Sequence, residues 1–338
     1  MVDYIRLGNS GLKVPRLWLG TMMFGHRTSE AEATRMVDAA REAGLNAIDT
    51  ADSYTDGVSE AMVGRLIAKD RGRWVLATKV YNRMGHAPNQ QGLSRRWIIE
   101  ECDHSLSRLH THWIDVYYLH KDDPETPLEE TIGTIGDLIR AGKIRYFGLS
   151  NFRAWRMARV AELCDRMGVP RPIAVQPPYS AVTRGIETEV LPCAEAYGMG
   201  VVCYSPLARG VLTGKYAAGT TPAEDSRAAR NDPRLMQTEF RKESFDIAAA
   251  FKAHAEASGR TATDFAIGWV LANALVSGVI AGPRTLKHWQ DYIRALDQPF
   301  TAEDEALVST LVAPGHASTH GYTDPSYPVT GRVFRARG

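Results

Sequence analysis

The chain carries almost no net charge, little cysteine and no long apolar run, and each shortage excludes a class of protein. Its 338 residues hold 40 Lys+Arg against 39 Asp+Glu, a formal net charge of +1. That balance offers no broad attraction for nucleic acid or for an anionic membrane. No stretch approaches the roughly 18 consecutive apolar residues of a membrane span, so no membrane insertion is expected. Met1-Val2-Asp3-Tyr4-Ile5-Arg6 lacks the charged-then-apolar pattern of an export signal. The four cysteines (Cys102, Cys164, Cys193, Cys203) form no CxxC and no paired Cys/His zinc set. Reduced, inert thiols and a cytoplasmic setting are expected.

Chemical signatures are missing too. There is no HExxH, and no Ser or Cys nucleophile beside a base. His110-Thr111-His112 precedes the fourth barrel strand, at the end of such a barrel that carries no chemistry. His316 and His320 fall in a Gly- and Pro-bounded tail. Both pairs read as surface residues, and no metal is expected. Gly198-Met199-Gly200 precedes an apolar strand but lacks the third glycine of a dinucleotide fingerprint.

What is present is an ordinary globular composition, 44% hydrophobic and 23% charged, with strand-like and helix-like stretches in alternation. A hairpin is expected first, turning at Asn9-Ser10-Gly11 between Ile5-Arg6-Leu7 and Leu12-Lys13-Val14. Leu17-Trp18-Leu19 reads as a strand, followed by a helix opened by the capping box Ser29-Glu30-Ala31-Glu32 and closed at Gly44. Further strands are expected at Asn46–Asp49, Trp74–Lys79, Ile114–His120, Ile144–Ser150, Ile173–Gln176, Val201–Tyr204 and Gly278–Ala281. Helices fit between them, among them Ser94–Leu109 and Leu128–Ala141. Eight strands counted from Leu17 suit an α/β fold of one domain over residues 1–338, a closed (β/α)8 TIM barrel. A long loop after strand seven and a tail from Pro314 to Gly338 interrupt the rhythm.

In such a barrel the chemistry lies at the C-terminal ends of the strands. Reading those ends collects Asp49 with Tyr54 just beyond, Lys79, His120, Ser150-Asn151, Gln176 and Tyr204-Ser205. A free phenol has a pKa of about 10, too high for efficient proton donation at neutral pH. A Lys79 ammonium beside Tyr54 is expected to lower it, with Asp49 holding the lysine and His120 orienting a carbonyl oxygen. The group suits proton delivery to an oxygen that gains negative charge.

Asn46-Ala47-Ile48-Asp49-Thr50-Ala51-Asp52-Ser53-Tyr54, Ala77-Thr78-Lys79-Val80, Asp115–His120, Gly148-Leu149-Ser150-Asn151-Phe152 and Tyr204–Gly210 resemble, in order and spacing, the motifs of the aldo-keto reductase superfamily. The resemblance runs from Gly20-Thr21-Met22 to Gly282-Pro283-Arg284-Thr285. It implies NADPH-dependent carbonyl reduction with Asp49, Tyr54, Lys79 and His120 as the catalytic tetrad. It also implies a cofactor lying across the barrel mouth. Ser150, Asn151 and Gln176 would fix the carboxamide, and Tyr204 would stack on the nicotinamide. Ser205, Leu207 and Gly210, with Lys215 and Arg227, would meet the pyrophosphate. Gly20, Thr21, Met22, Pro206, Arg209 and Gly282 complete the expected contacts. Arg284, at the start of a helix whose N-terminus is expected to bind anions, suits a 2′-phosphate, so NADP(H) is expected over NAD(H). His288 and Tyr292 stand where the family often has Gln and Asn against adenine, and Asp291 offers an acceptor for the adenine amine.

The expected partner is a small aldehyde or ketone. Met22, Met23, Phe24, Tyr81 and Met84, with the tail's His316, His320, Tyr322 and Tyr327, are candidate pocket walls; Arg83 and Lys121 admit an acidic substituent. Two rival readings keep the barrel: a cofactor-sensing auxiliary subunit of a membrane channel without turnover, and an aldolase using Lys79 as a Schiff-base amine. Asp49 opposes the second, because it keeps the lysine charged.

Overall fold

A short antiparallel hairpin opens the chain, β1 (Tyr4–Arg6) against β2 (Lys13–Pro15), with Ile5 opposite Val14. The computed structural model describes residues 2–217 and 219–329. Eight parallel strands follow and close into a barrel: β3 (Leu17–Gly20), β4 (Ala47–Asp49), β5 (Val75–Val80), β6 (Ile114–Leu119), β7 (Ile144–Ser150), β8 (Ala174–Gln176), β9 (Gly200–Tyr204) and β10 (Gly278–Ala281). Each pairs with the next, and β10 pairs with β3. The expected (β/α)8 TIM barrel with its N-terminal hairpin is therefore present. Strand bounds move by about a residue, and His120 lies just past β6, still bonding its N–H to Val80 O at 2.9 Å.

The helices are α1 (Glu30–Glu42), α2 (Val58–Ile67), α3 (Arg95–Arg108), α4 (Leu128–Arg140), α5 (Ala154–Met167) and α6 (Val190–Ala196), one after each of β3 to β8. Between β9 and β10 come α7 (Pro233–Gln237), α8 (Lys242–Ala257) and α9 (Ala262–Ala272); α10 (Leu286–Ala295) and α11 (Ala302–Leu311) follow β10. The long segment after β9 is as expected, although α7 and a 3-10 stretch over Ala208–Thr213 give it local order. Beyond α11 no helix or strand appears up to residue 329; the rest of the expected tail lies outside the described residues. No described helix is long and apolar enough to cross a membrane.

Local chemistry explains the helix ends. Ser94 accepts from Trp97 N–H to start α3, and Gly44 takes a φ of +77° just after α1, where a left-handed residue ends a helix. The expected capping box of α1 is only half formed. Ser29 Oγ accepts from Glu32 N–H at 3.3 Å, but the Glu32 carboxylate turns away and accepts from Leu286 N–H at the start of α10. The N-terminus of another helix, with its partial positive charge, outcompetes a single backbone N–H.

The two faces of the strands build two cores. Trp18, Ala47, Val75, Ala77, Val116, Tyr118, Ala174, Val202 and Ile280 point into the barrel and form one buried cluster with Leu7 and Val14 of the hairpin. The hairpin thus plugs the N-terminal end. Gly8, at φ +57°, permits this, since a Cβ there would lie 2.5 Å from the carbonyl oxygens of Gly198 and Ile173. The opposite phase, including Leu19, Ile48, Leu76 and Leu119, packs under the helices with Met36, Ile98 and Ile132. Because side chains alternate along a strand, one further step in the inward phase places Gly20, Asp49, Lys79, His120, Ser150, Gln176, Tyr204 and Gly282 together at the C-terminal rim.

Candidate active site

Asp49 and Lys79 are fully buried on neighbouring strands, Lys79 Nζ lying 2.5 Å from Asp49 Oδ1. The ammonium also donates to Thr50 O at 2.7 Å and to Tyr54 Oη at 3.3 Å, so the turn after β4 wraps the phenol onto the lysine. Asp49 Oδ2 accepts from Gln176 Nε2 at 2.8 Å. Burial alone would lower Lys79, but the Asp49 and Tyr54 charges and hydrogen bonds overcome it and raise its pKa. Burial pushes Asp49 upward while Lys79 and Gln176 oppose it. The lysine, raised from an already high value, keeps the proton, and the pair is ionic.

Tyr54 behaves differently from the expectation. Burial pushes its phenol above the ordinary value; Lys79 pulls it down, but Asp49 adds to the rise. The lysine therefore limits an upward shift and does not produce a downward one. A charged neighbour is visible in the sequence, whereas the desolvation that decides the sign comes only with folding.

The Tyr54 and His120 rings meet edge-on at 6.3 Å. The imidazole is oriented by a residue that sequence reasoning missed. Asn82, just past β5, places its amide nitrogen 3.1 Å from His120 Nδ1 and 2.9 Å from Ser53 Oγ. The amide donates to both, so Nδ1 is the acceptor and the neutral ring carries its hydrogen on Nε2. Burial, then Lys79 and Lys121, hold the His120 pKa well below the usual value, so the ring is neutral. The signal available was Asn82's position beyond a strand end. Replacing Asn82 with Leu removes a hydrogen bond of about 1 kcal/mol and should lower kcat about five- to tenfold. The measurements are steady-state rates at pH 7 and the ring 15N shifts, which should show mixed tautomers.

The carboxamide candidates form one connected edge. Asn151, at φ +60°, donates to His120 O at 3.0 Å and to Ser150 Oγ at 3.0 Å, and accepts from Tyr204 Oη at 2.8 Å. Ser150 Oγ donates to Gln176 O at 2.8 Å. Tyr204 thus stands at the mouth with its hydroxyl tethered. Thr21 is different: its side chain is buried and bonded to Asp49 O and Ser59 Oγ, which makes it a strut for the strand end. Gly20 has no space for a Cβ, which would sit 2.7 Å from Ile280 Cγ2, whereas Met22 is exposed on the rim.

After β9 the backbone adopts positive φ at Ser205, Ala208, Arg209 and Gly210, on either side of buried Pro206 and Leu207. The Lys215 ammonium lies where a Cβ on Gly210 would be only 3.0 Å away. Burial, with Arg284 and Arg227 nearby, pushes its pKa down. Arg284 pairs with the carboxylate of Asp225, whose carbonyl accepts from Arg27 at 3.2 Å, Arg230 at 2.6 Å and Arg284 at 3.0 Å. Arg27 and Arg230 were not foreseen. Basic residues on two separate loops carried no shared signal until the fold joined them.

Other expected contacts are diverted. Arg209 is tied to buried Glu239, and Arg227 pairs with Asp232 at 2.9 Å. Asp291 is engaged by Lys287 at 3.3 Å and Arg294 at 3.0 Å. The N-terminus of α10 is not an open anion site either: Thr285 caps His288 N–H and Glu32 takes Leu286 N–H. Half-buried His288 and Tyr292 remain beside this end, Tyr292 packed on the core. Among the described residues no group of His, Cys, Asp and Glu is arranged to hold a metal ion.

Residues 16–313 match the Aldo/keto reductase family. The "Probable voltage-gated potassium channel subunit beta" of Oryza sativa subsp. japonica is 35% identical, covering 88% of this chain and 92% of that protein. The "Uncharacterized oxidoreductase YrpG" of Bacillus subtilis (strain 168) is 34% identical over 95% of this chain and 99% of its own length. The "L-glyceraldehyde 3-phosphate reductase" of Escherichia coli O157:H7 is 29% identical, with 93% of each chain covered. With a closed eight-stranded barrel and a buried Asp–Lys pair bonded to Tyr54 at its C-terminal mouth, this chain belongs to the aldo/keto reductase family and is an oxidoreductase.

Proposed function

We propose that this oxidoreductase reduces an aldehyde or ketone to an alcohol with NADPH, Tyr54 supplying the proton. The observation that carries the reading is the Tyr54 hydroxyl 3.3 Å from an ammonium that Asp49 holds at 2.5 Å. A carbonyl oxygen at the mouth accepts a hydrogen bond from His120 Nε2–H, which orients it. As negative charge develops on that oxygen, Tyr54 gives up its phenolic proton to it. The Lys79 ammonium stabilises the phenolate left behind, and Asp49 keeps the lysine protonated and fixed. In the reverse direction the phenolate is the base.

The residues present fit a phosphorylated dinucleotide. Gly210 leaves open a space against Lys215 that a Cβ would fill, and three arginines converge on Asp225, Arg27 and Arg230 on its backbone carbonyl and Arg284 on its carboxylate. When bound, NADPH supplies the hydride. Ser150, Asn151 and Gln176 would hold its carboxamide, Tyr204 its ring, Ser205 to Gly210 with Lys215 its pyrophosphate, and Arg284 with Arg27 its 2′-phosphate. Asp225 then has to yield its place on Arg284 to the phosphate.

Quenching of protein fluorescence tests this, since Trp18, buried inside the barrel, and the other tryptophans provide a signal. NADPH should bind more tightly than NADH. Arg284→Ala removes charge-assisted bonds of about 1.5–3 kcal/mol and should weaken NADPH about ten- to a hundredfold with little effect on NADH. Equal losses for both cofactors reject the 2′-phosphate role, and a response to neither rejects the proposal. The rice relative is named as a channel subunit, which supports a second reading, an auxiliary subunit of a membrane channel; NADPH binding with no reduction of a panel of aldehydes would favour it. A Schiff-base aldolase is disfavoured, because that chemistry needs a neutral amine and Lys79 is held charged.

A further inference from the structure

We infer that the Lys121 ammonium binds an anionic substituent of the substrate, so that the carbonyl compounds this chain selects carry a carboxylate or a phosphate; this rests on the carbonyl-reducing reading above. Lys121 follows His120 directly in the chain. Its Nζ lies 5.7 Å from the centre of the Tyr81 ring, on the loop after β5, and the charges of Arg234 in α7 and Asp324 in the tail act on it. Elements that leave the barrel at different strands meet around this one ammonium, which places it over the mouth, beside the imidazole that faces the reacting carbonyl.

Among the described residues no acid pairs with it. Among the described residues Lys121 makes no ion pair and no hydrogen bond, and the carboxylates around it are committed elsewhere. Asp122 is gripped by Arg156 at 2.6–3.0 Å. Asp123 accepts from Leu93 N–H and Thr126 Oγ at 2.8 Å each. Asp324 is held by Arg234 at 2.6 Å. Glu125 has no cationic partner, but it lines the outer groove between α4 and α5. The flanking loops add positive charge: among the described residues Arg83 donates only to the carbonyls of Gly85 and His86, and Arg153 only to those of Tyr327 and Pro328. On a chain of net charge +1, this is a local surplus at the place where substrate must enter.

A half-buried ammonium without a counter-ion is unfavourable. Burial, followed by Arg234, pushes the Lys121 pKa below its ordinary value, and the charge of a bound anion offsets both. Tyr81 fixes the cation's position through its ring face. The charge–charge term is then available to any substrate whose acidic group sits a few bonds from the carbonyl.

The test compares kcat/KM with NADPH for two matched pairs: 4-carboxybenzaldehyde against 4-formylbenzamide, and 4-formylphenyl phosphate against 4-methoxybenzaldehyde. The anionic member should be preferred in at least one pair, and the preferred pair names the group. The preference should shrink as salt is added. Lys121→Met should cut the anionic-to-neutral ratio about tenfold, chiefly through KM, and Lys121→Arg should largely retain it. Absence of any preference in the wild-type enzyme, or a ratio unmoved by Lys121→Met, overturns the inference and leaves carbonyl reduction standing. If none of the four aldehydes is reduced while NADPH binds, the carbonyl-reducing reading falls and this inference with it.

Discussion

Tyr54→Phe is expected to bind NADPH with nearly unchanged affinity and to lower kcat by a factor of about 10²–10⁴, the usual worth of a positioned proton donor. The substitution keeps the ring that meets His120 edge-on and removes only the hydroxyl. Lys79 loses one acceptor at 3.3 Å but retains Asp49 and Thr50 O, so the buried ion pair survives. The pH dependence separates the two directions. Burial first, with Asp49 adding to it against the pull of Lys79, holds the Tyr54 phenol above its ordinary pKa. Reduction needs the phenol and should be flat across neutral pH; alcohol oxidation needs the phenolate and should rise as pH increases. His120, kept neutral by its low pKa, should add no break near pH 6–7. Turnover of Tyr54→Phe within a few-fold of wild type would mean that another group delivers the proton.

The parts of this site that were legible from sequence share one property: each is local in the chain. Strand-end residues follow from period-two alternation, so Asp49, Lys79, His120, Ser150 and Gln176 are placed once eight strands are counted. The helix stop at Gly44 follows from its own neighbours. The parts that were not legible depend on pairs brought together only by closure of the barrel. Glu32 leaves its own helix start for Leu286, 254 residues away. Asp225 meets Arg27 from 198 residues earlier and Arg284 from 59 later. Asn82 finds His120 because consecutive strands lie side by side. Desolvation is in the same class: the sign of the Tyr54 shift depends on how thoroughly the mouth is packed, a quantity that no local pattern encodes.

Removing one partner of the Asp49–Lys79 pair should cost about 3–5 kcal/mol of stability as well as turnover, because a lone charge is left buried without its counter-ion. In Lys79→Met the Asp49 carboxylate keeps only Gln176, at 2.8 Å. In Asp49→Leu the ammonium keeps Thr50 O and the phenol. Urea unfolding of each should show a lower midpoint with little change in slope. The double variant Asp49→Leu/Lys79→Met has no buried charge at this place, and its main unsatisfied group is the Gln176 amide. It should therefore be more stable than either single variant, the non-additivity expected of residues in contact, yet remain as inactive as both. Additive destabilisation in the double variant would show that the two side chains act independently. Recovery of stability without activity would show that the pair is retained for what the lysine does to the tyrosine proton. An apolar pair would hold the floor of the mouth together as well, but it would leave Tyr54 a half-buried phenol with nothing to stabilise the negative charge left when its proton departs.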